Sequence, residues 1–117
     1  MNNLVSGLLK INCSTEGGKL TVTFFGKSSI REPGTVLTPF FADILKSAPS
    51  ELVLQFDKLE FMNSSTMPPV AQFLDKLEKQ GIRTTIVYDE KSNWQNVAFR
   101  VLKKITEHFK RISFITR

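Results

Sequence analysis

Asn63-Ser64-Ser65-Thr66 sets four short, oxygen-bearing side chains in a row, between Met62 and Met67-Pro68-Pro69. Side chains of this reach accept hydrogen bonds from backbone N–H groups, so at the start of a helix they satisfy the donors that the first turn leaves orphaned. The run is longer than one cap requires. It follows an apolar segment, Leu52-Val53-Leu54-Gln55-Phe56, and precedes a helical pattern. That order places it at the carboxyl end of a strand, where open α/β sheets carry their sites. Other reactive residue types are thinly spread. His108 is the single histidine and Cys13 the single cysteine, with no partner at metal-ligand spacing. His108 therefore reads as a surface or packing residue near a helix end, and Cys13 as a small packing residue in an apolar strand. Asp57, Glu60, Asp89 and Glu90 have the chemistry of an acid–base pair, but nothing in their spacing fixes a separation. Glu16-Gly17-Gly18-Lys19 is too short for a phosphate-binding loop. The expectation is a protein that is not an enzyme and uses no metal or cofactor.

The elements that must position this run follow from periodicity. Leu8–Cys13 and Leu20–Phe25 read as strands, joined by a hairpin at Glu16-Gly17-Gly18. Leu37, Phe40, Phe41, Ile44 and Leu45 recur at helical spacing, with Thr38 as N-cap and Pro39 in the first turn. Leu52–Phe56 is apolar at consecutive positions, the pattern of a central strand covered on both faces. A second helix carries Val70, Phe73, Leu74 and Leu77 and stops at Gly81; Ile82–Tyr88 is a further strand. A third helix from Ser92 buries a stripe of Trp94, Val97, Val101, Ile105 and Phe109, and Ile112–Ile115 closes the sheet. The order β-β-α-β-α-β-α-β implies an α/β fold: a mostly parallel sheet with an N-terminal antiparallel hairpin and helices packed on it. Leu52–Phe56 and Ile82–Tyr88 are expected as parallel neighbours.

A chain of 117 residues, 41% hydrophobic and 23% charged, makes one domain, 1–117, and is neither disordered nor fibrous. No apolar run approaches the roughly 20 residues of a membrane span, and Met1-Asn2-Asn3 lacks the start of a signal peptide. With one cysteine, the expectation is a cytoplasmic protein without an internal disulfide. The net charge of +5 is local. Residues 1–99 hold ten bases and ten acids, whereas residues 100–117 hold six bases and Glu107 alone. A confined cluster of this kind marks one solvated helix face rather than a nucleic-acid groove with interleaved aromatics. Neither nucleic acid nor membrane is expected as a partner.

Phe56-Asp57 followed by Leu59-Glu60-Phe61-Met62-Asn63-Ser64-Ser65 resembles the strand–loop–helix signature of STAS domains, the fold of the bacterial anti-sigma factor antagonists. The segment Phe61–Ser65 is also similar to a STAS-like branch that regulates biofilm formation. The likeness extends over most of the chain through the same alternation of strands and helices. It implies a phosphoprotein of bacterial signal transduction that acts through protein–protein contacts. In that family a kinase with a histidine-kinase-like ATPase fold phosphorylates the first serine of the motif and a phosphatase reverses it. Carried over, the acceptor is Ser64, with Ser65 the alternative, and Met62, Asn63, Ser64, Ser65, Thr66 and Met67 form the partner-binding segment. Two positions depart from the family pattern: Asn63 stands where an Asp is usual, and Thr66 where a Gly is usual. The alternative functions are an unphosphorylated interaction module, using the basic face of the third helix, or a STAS-like regulator of a signalling enzyme in biofilm control.

Overall fold

In the computed structural model the described residues are 3–117, so Met1 and Asn2 of the N-terminal stretch lie outside them. Strands β1 (Leu4–Ser6), β2 (Leu9–Glu16) and β3 (Lys19–Ser28) form an antiparallel meander. Gly17 and Gly18, with φ of 57° and 83°, make the two-residue turn between β2 and β3, a conformation that glycine adopts without steric cost. The chain then crosses through α1 (Gly34–Ser47) to β4 (Glu51–Gln55), and β5 (Leu59–Met62) follows after a short break. Helix α2 (Met67–Gln80) leads to β6 (Arg83–Tyr88), and α3 (Asn93–Ile105) to β7 (Ile112–Thr116). The sheet order is β1-β2-β3-β4-β6-β7, with β5 also on β3. The β4–β6 pair is parallel, with Leu52 opposite Thr84 and Leu54 opposite Ile86, as the sequence predicts.

Successive crossovers that move outward along a sheet in one direction, all right-handed, place their helices on one face. All three helices accordingly contribute to one core cluster with β2, β3, β4 and β6, and α2 contacts both α1 and α3. Phe41 of α1 stacks on Phe73 of α2 at 4.1 Å between ring centres, and Phe24 of β3 on Phe56 at 4.2 Å. The alternate strand positions, including Thr23, Val53, Gln55 and Thr85, point to the opposite face. The strand is central and buried on both faces as its pattern predicts, with helices on one face only. Val53 is shielded within a sheet rich in β-branched residues, and Thr23 Oγ1 donates to Gln55 Oε1 on that side.

Helix α1 also begins earlier than its capping residues imply. It starts at Gly34, behind Pro33, and Pro39 lies inside it. Burial decides this: Leu37 is in the core with Phe40, Phe41 and Ile44, and only a helix already under way at position 37 aligns the four. Leu59–Met62, read as part of a loop, is a strand. It runs parallel to the end of β3, with a bulge inside the pairing: Gly26 is opposite Leu59 and Lys27 opposite Phe61, leaving Glu60 without a counterpart.

Candidate functional site

Strands β4 and β5 lie one after the other along the same edge of β3, interrupted at Phe56–Lys58. Such a break leaves carbonyl groups without ladder partners, and buried orphans of this kind are costly. Gln95, 1% exposed, fills the gap from the first turn of α3. Its Nε2 donates to the carbonyls of Phe56 and Leu59, both at 3.0 Å, and its Oε1 accepts from the Asp89 N–H at 2.8 Å. One buried amide therefore joins the β4–β5 break, the β6–α3 loop and α3. Sequence reasoning missed it. The available signal was its place four residues before Phe99 and seven before Leu102, the residues that α3 does bury.

Beyond β5 the chain turns through a 3₁₀ turn, Ser64–Thr66, into α2. The two departures from the family pattern meet here. Thr66 Oγ1 donates to Asn63 Oδ1 at 2.7 Å, and Asn63 Nδ2 donates to the Ile30 carbonyl at 2.9 Å. Thr66 Oγ1 also lies 2.8 Å from Ser28 Oγ; since its proton goes to Asn63, the serine donates. The Asn63 N–H donates to the Ser28 carbonyl, so the segment is latched to the end of β3 from both main chain and side chain. Asn63 requires an amide that donates and accepts at once, and Thr66 a hydroxyl that does the same. Ser64 and Ser65 take no part and are exposed. Neither the 3₁₀ turn nor α2 has a side-chain cap, which corrects the expectation that this run of short polar side chains caps the helix.

Ser64 lies on the rim of an open groove of about 880 Å³ between α2 and α3. Met62, Met67 and Ala71 form one side, while Trp94, Val97, Val101 and Ile105 form the other. Asn63, Ser64 and Asn93 supply polar groups at the end where both helices begin. Of the predicted partner-binding residues, the groove gathers Met62, Asn63, Ser64 and Met67. Ser65 is exposed outside its lining, and Thr66 is buried in the latch. Met62, placed in the partner-binding segment by the sequence, is 9% exposed and shows only part of its side chain to the groove.

The third helix is turned from its expected orientation. The stripe predicted to be buried faces out: Val97, Val101 and Ile105 are 63%, 47% and 54% exposed. The buried stripe is Gln95, Phe99, Leu102 and, just past the helix, Thr106. Trp94 packs against the core from the side without entering it. Periodicity alone favours the more apolar stripe; the helix instead buries Gln95 because the strand break needs its amide. Arg100 and Lys104 are exposed beside the outward stripe, with Lys103 exposed farther round the helix, and Lys104 pairs loosely with Glu107 at 3.6 Å.

The remaining candidates are dispersed. His108 is exposed, 3.8 Å from Glu107. Burial pushes the Cys13 thiol upward in pKa, which disfavours the reactive thiolate. Asp57 has one carboxylate oxygen, Oδ1, buried without a hydrogen-bond partner among the described residues, and Asp89 Oδ1 accepts the Lys91 N–H in its own loop. Among the described residues no three metal-ligating side chains come together, and no helix is long and apolar enough to cross a membrane.

No protein-family model matches the chain, and no curated protein sequence matches it. Solved structures do match. An anti-sigma factor antagonist from Mycobacterium paratuberculosis has a TM-score of 0.64 at 18% identity, over 82% of this chain and 80% of that one. The anti-sigma factor antagonist SpoIIAA in its unphosphorylated form has a TM-score of 0.65 at 17% identity, over 92% and 89%. A chain in the complex of the diguanylate cyclase SiaD with its activator SiaC, from Pseudomonas aeruginosa, has a TM-score of 0.67 at 18% identity, over 100% of both chains. The protein has the STAS fold of the anti-sigma factor antagonists.

Proposed function

We propose that the protein is a partner-switching regulator, which binds its partner through the groove between α2 and α3 and releases it when Ser64 is phosphorylated. The observation that carries this reading is the position of Ser64, an exposed hydroxyl on the rim of an exposed apolar groove. Phosphorylation adds about −1.5 to −2 charges at neutral pH. A partner closing over the groove would have to desolvate that charge. A helix N-terminus ordinarily stabilises an anion through its free N–H groups. Pro68 and Pro69 remove two of those donors from the first turn of α2. The phosphate is therefore weakly held and projects toward the partner. The partners in this reading are a serine kinase with a histidine-kinase-like ATPase fold and a phosphatase, and the protein works by binding rather than catalysis.

The match to the SiaD–SiaC complex over the full length of both chains favours a second form of the same reading. There the partner is a signalling enzyme, such as a diguanylate cyclase, that the protein activates.

Phosphopeptide analysis of the protein isolated from its own cells tests the modification, with phosphate expected on Ser64. Calorimetric titration against the cognate partner tests the switch. Ser64→Ala is expected to bind as wild type, and Ser64→Asp more weakly, by less than phosphate because it carries less charge. Ser65→Ala, which removes neither a cap nor a lining group, should change both affinity and stability little, within about 0.5 kcal/mol. Equal affinity of the wild-type, Ala and Asp forms at position 64 would leave the groove without a serine switch.

A further inference from the structure

We propose that the groove between α2 and α3 takes an amphipathic helix of the partner, apolar along one stripe and acidic along its flank. This inference rests on the reading of the protein as a binding module, and does not require Ser64 to be phosphorylated. Three observations lead to it. The first is shape: Val97, Val101 and Ile105 follow one another at four-residue intervals, forming a ridge along α3 opposite Met67 and Ala71 of α2. Ridges of this spacing interlock with apolar residues at i, i+3, i+4 and i+7 of a second helix.

The second is hydrogen bonding. Both walls are helices, whose main-chain groups are already paired along their length, and the polar lining is confined to Asn63, Ser64 and Asn93 at one end. An extended segment laid in this groove would bury backbone N–H and C=O groups without partners, whereas a helix brings its own satisfied. The third is charge. Arg100 and Lys104, each three residues on from a ridge valine, flank the apolar ridge on its side away from α2, and the stretch that contains them carries the whole net charge of +5. An acidic flank is attracted to this edge. A second copy of the chain would set like charges against each other, and a nucleic-acid backbone would meet an apolar groove floor.

A display library built on a helical scaffold with one randomised surface helix tests the proposal against the full-length, unmodified protein. Selected binders are expected to have an apolar stripe flanked by Asp and Glu. Val101→Asp should weaken them by about tenfold or more. Arg100→Glu with Lys104→Glu should weaken them by about tenfold at low salt and by less at high salt. A binder whose acids are changed to Lys should prefer that charge-reversed protein. Circular dichroism and thermal melting confirm that the variants are folded; both substitutions are at exposed positions.

The proposal is overturned by selections that return basic or uncharged helices, by binding indifferent to Val101→Asp, or by no binder tighter than about 100 µM. It is equally overturned if sedimentation shows a dimer that Val101→Asp dissolves, since the occupant is then a second copy. A selected helix that binds Ser64→Asp as tightly as wild type would leave the groove assignment standing and remove the serine switch.

Discussion

At the scale of single residues, three polar side chains, the buried Gln95 and Thr66 and the half-buried Asn63, decide where the exposed serine stands. Gln95 closes the break in the β4–β5 edge, and Asn63 with Thr66 fixes the turn that follows. Gln95→Leu keeps the apolar packing of the inward stripe but strands the Leu59 carbonyl and the Asp89 N–H, while the Phe56 carbonyl keeps the Leu59 N–H. Unfolding by urea should show a loss of about 2 kcal/mol or more, since each stranded group costs roughly 1–3. A loss under about 1 kcal/mol would mean that other groups, or water, take over the amide's bonds. The sequence displayed Ser64 and its neighbours plainly, because a run of hydroxyl residues at a strand–helix junction is local information. The partners Ser28 and Ile30 lie more than thirty residues away in the chain. No periodicity or spacing announces them, so Asn63 and Thr66 stood out only as departures from a pattern until the structure joined them.

At the scale of elements, α2 was legible and α3 was not, for one physical reason. Helix α2 has a single apolar stripe, and Val70, Phe73, Leu74 and Leu77 are buried as their spacing predicts. Phe73→Ala, which removes a ring stacked on Phe41, should lower stability by about 3–5 kcal/mol in the same urea assay. Helix α3 has two candidate stripes. The stripe with fewer polar residues stays outside, and departures of this kind from local pattern are where function is found. Helix α2 also anchors the approach to β7. The backbone N–H groups of Lys110 and Arg111 donate to the Glu78 carboxylate at 3.0 and 2.7 Å, and these bonds hold its pKa below the usual range. Because the folded value is the lower one, the unfolded chain binds more protons in acid. The stabilisation is present above the unfolded value of about 4.3 and drains away as pH falls through the folded value. Glu78→Gln should therefore flatten the acid limb of the pH–stability curve below about pH 4.3 and leave the slope at neutral pH unchanged. An unchanged acid limb would show that these bonds do not persist in solution.

At the scale of the whole molecule, the sheet has one helical face, and among the described residues β1, β5 and β7 have a strand neighbour on one side only. The order of elements predicted the parallel pairing and the N-terminal hairpin, and β4 is buried on both faces as its pattern predicts, though helices cover only one of them. A central strand in a sheet rich in β-branched residues is apolar on its open side as well, so composition does not distinguish the two cases. Amide hydrogen exchange should be slowest in β3, β4 and β6, which have neighbours on both sides, and faster in β1 and β7. Slow exchange at the unpaired edge of β7 would reveal a covering partner. Strands β4, β6 and β7 are added to the sheet in the order in which they are made, each at the free edge left by the one before. On a ribosome, which releases the chain from its N-terminus, no earlier pair need be opened to admit a later strand. The meander, α1 and α2 can be assembled before α3 exists. Until Gln95 emerges, the gap at Phe56–Leu59 has no plug and the groove has only one wall. The residue that finishes the scaffold and the ridge that completes the groove then arrive on the same helix, so the nascent chain has no groove until its fold is all but complete.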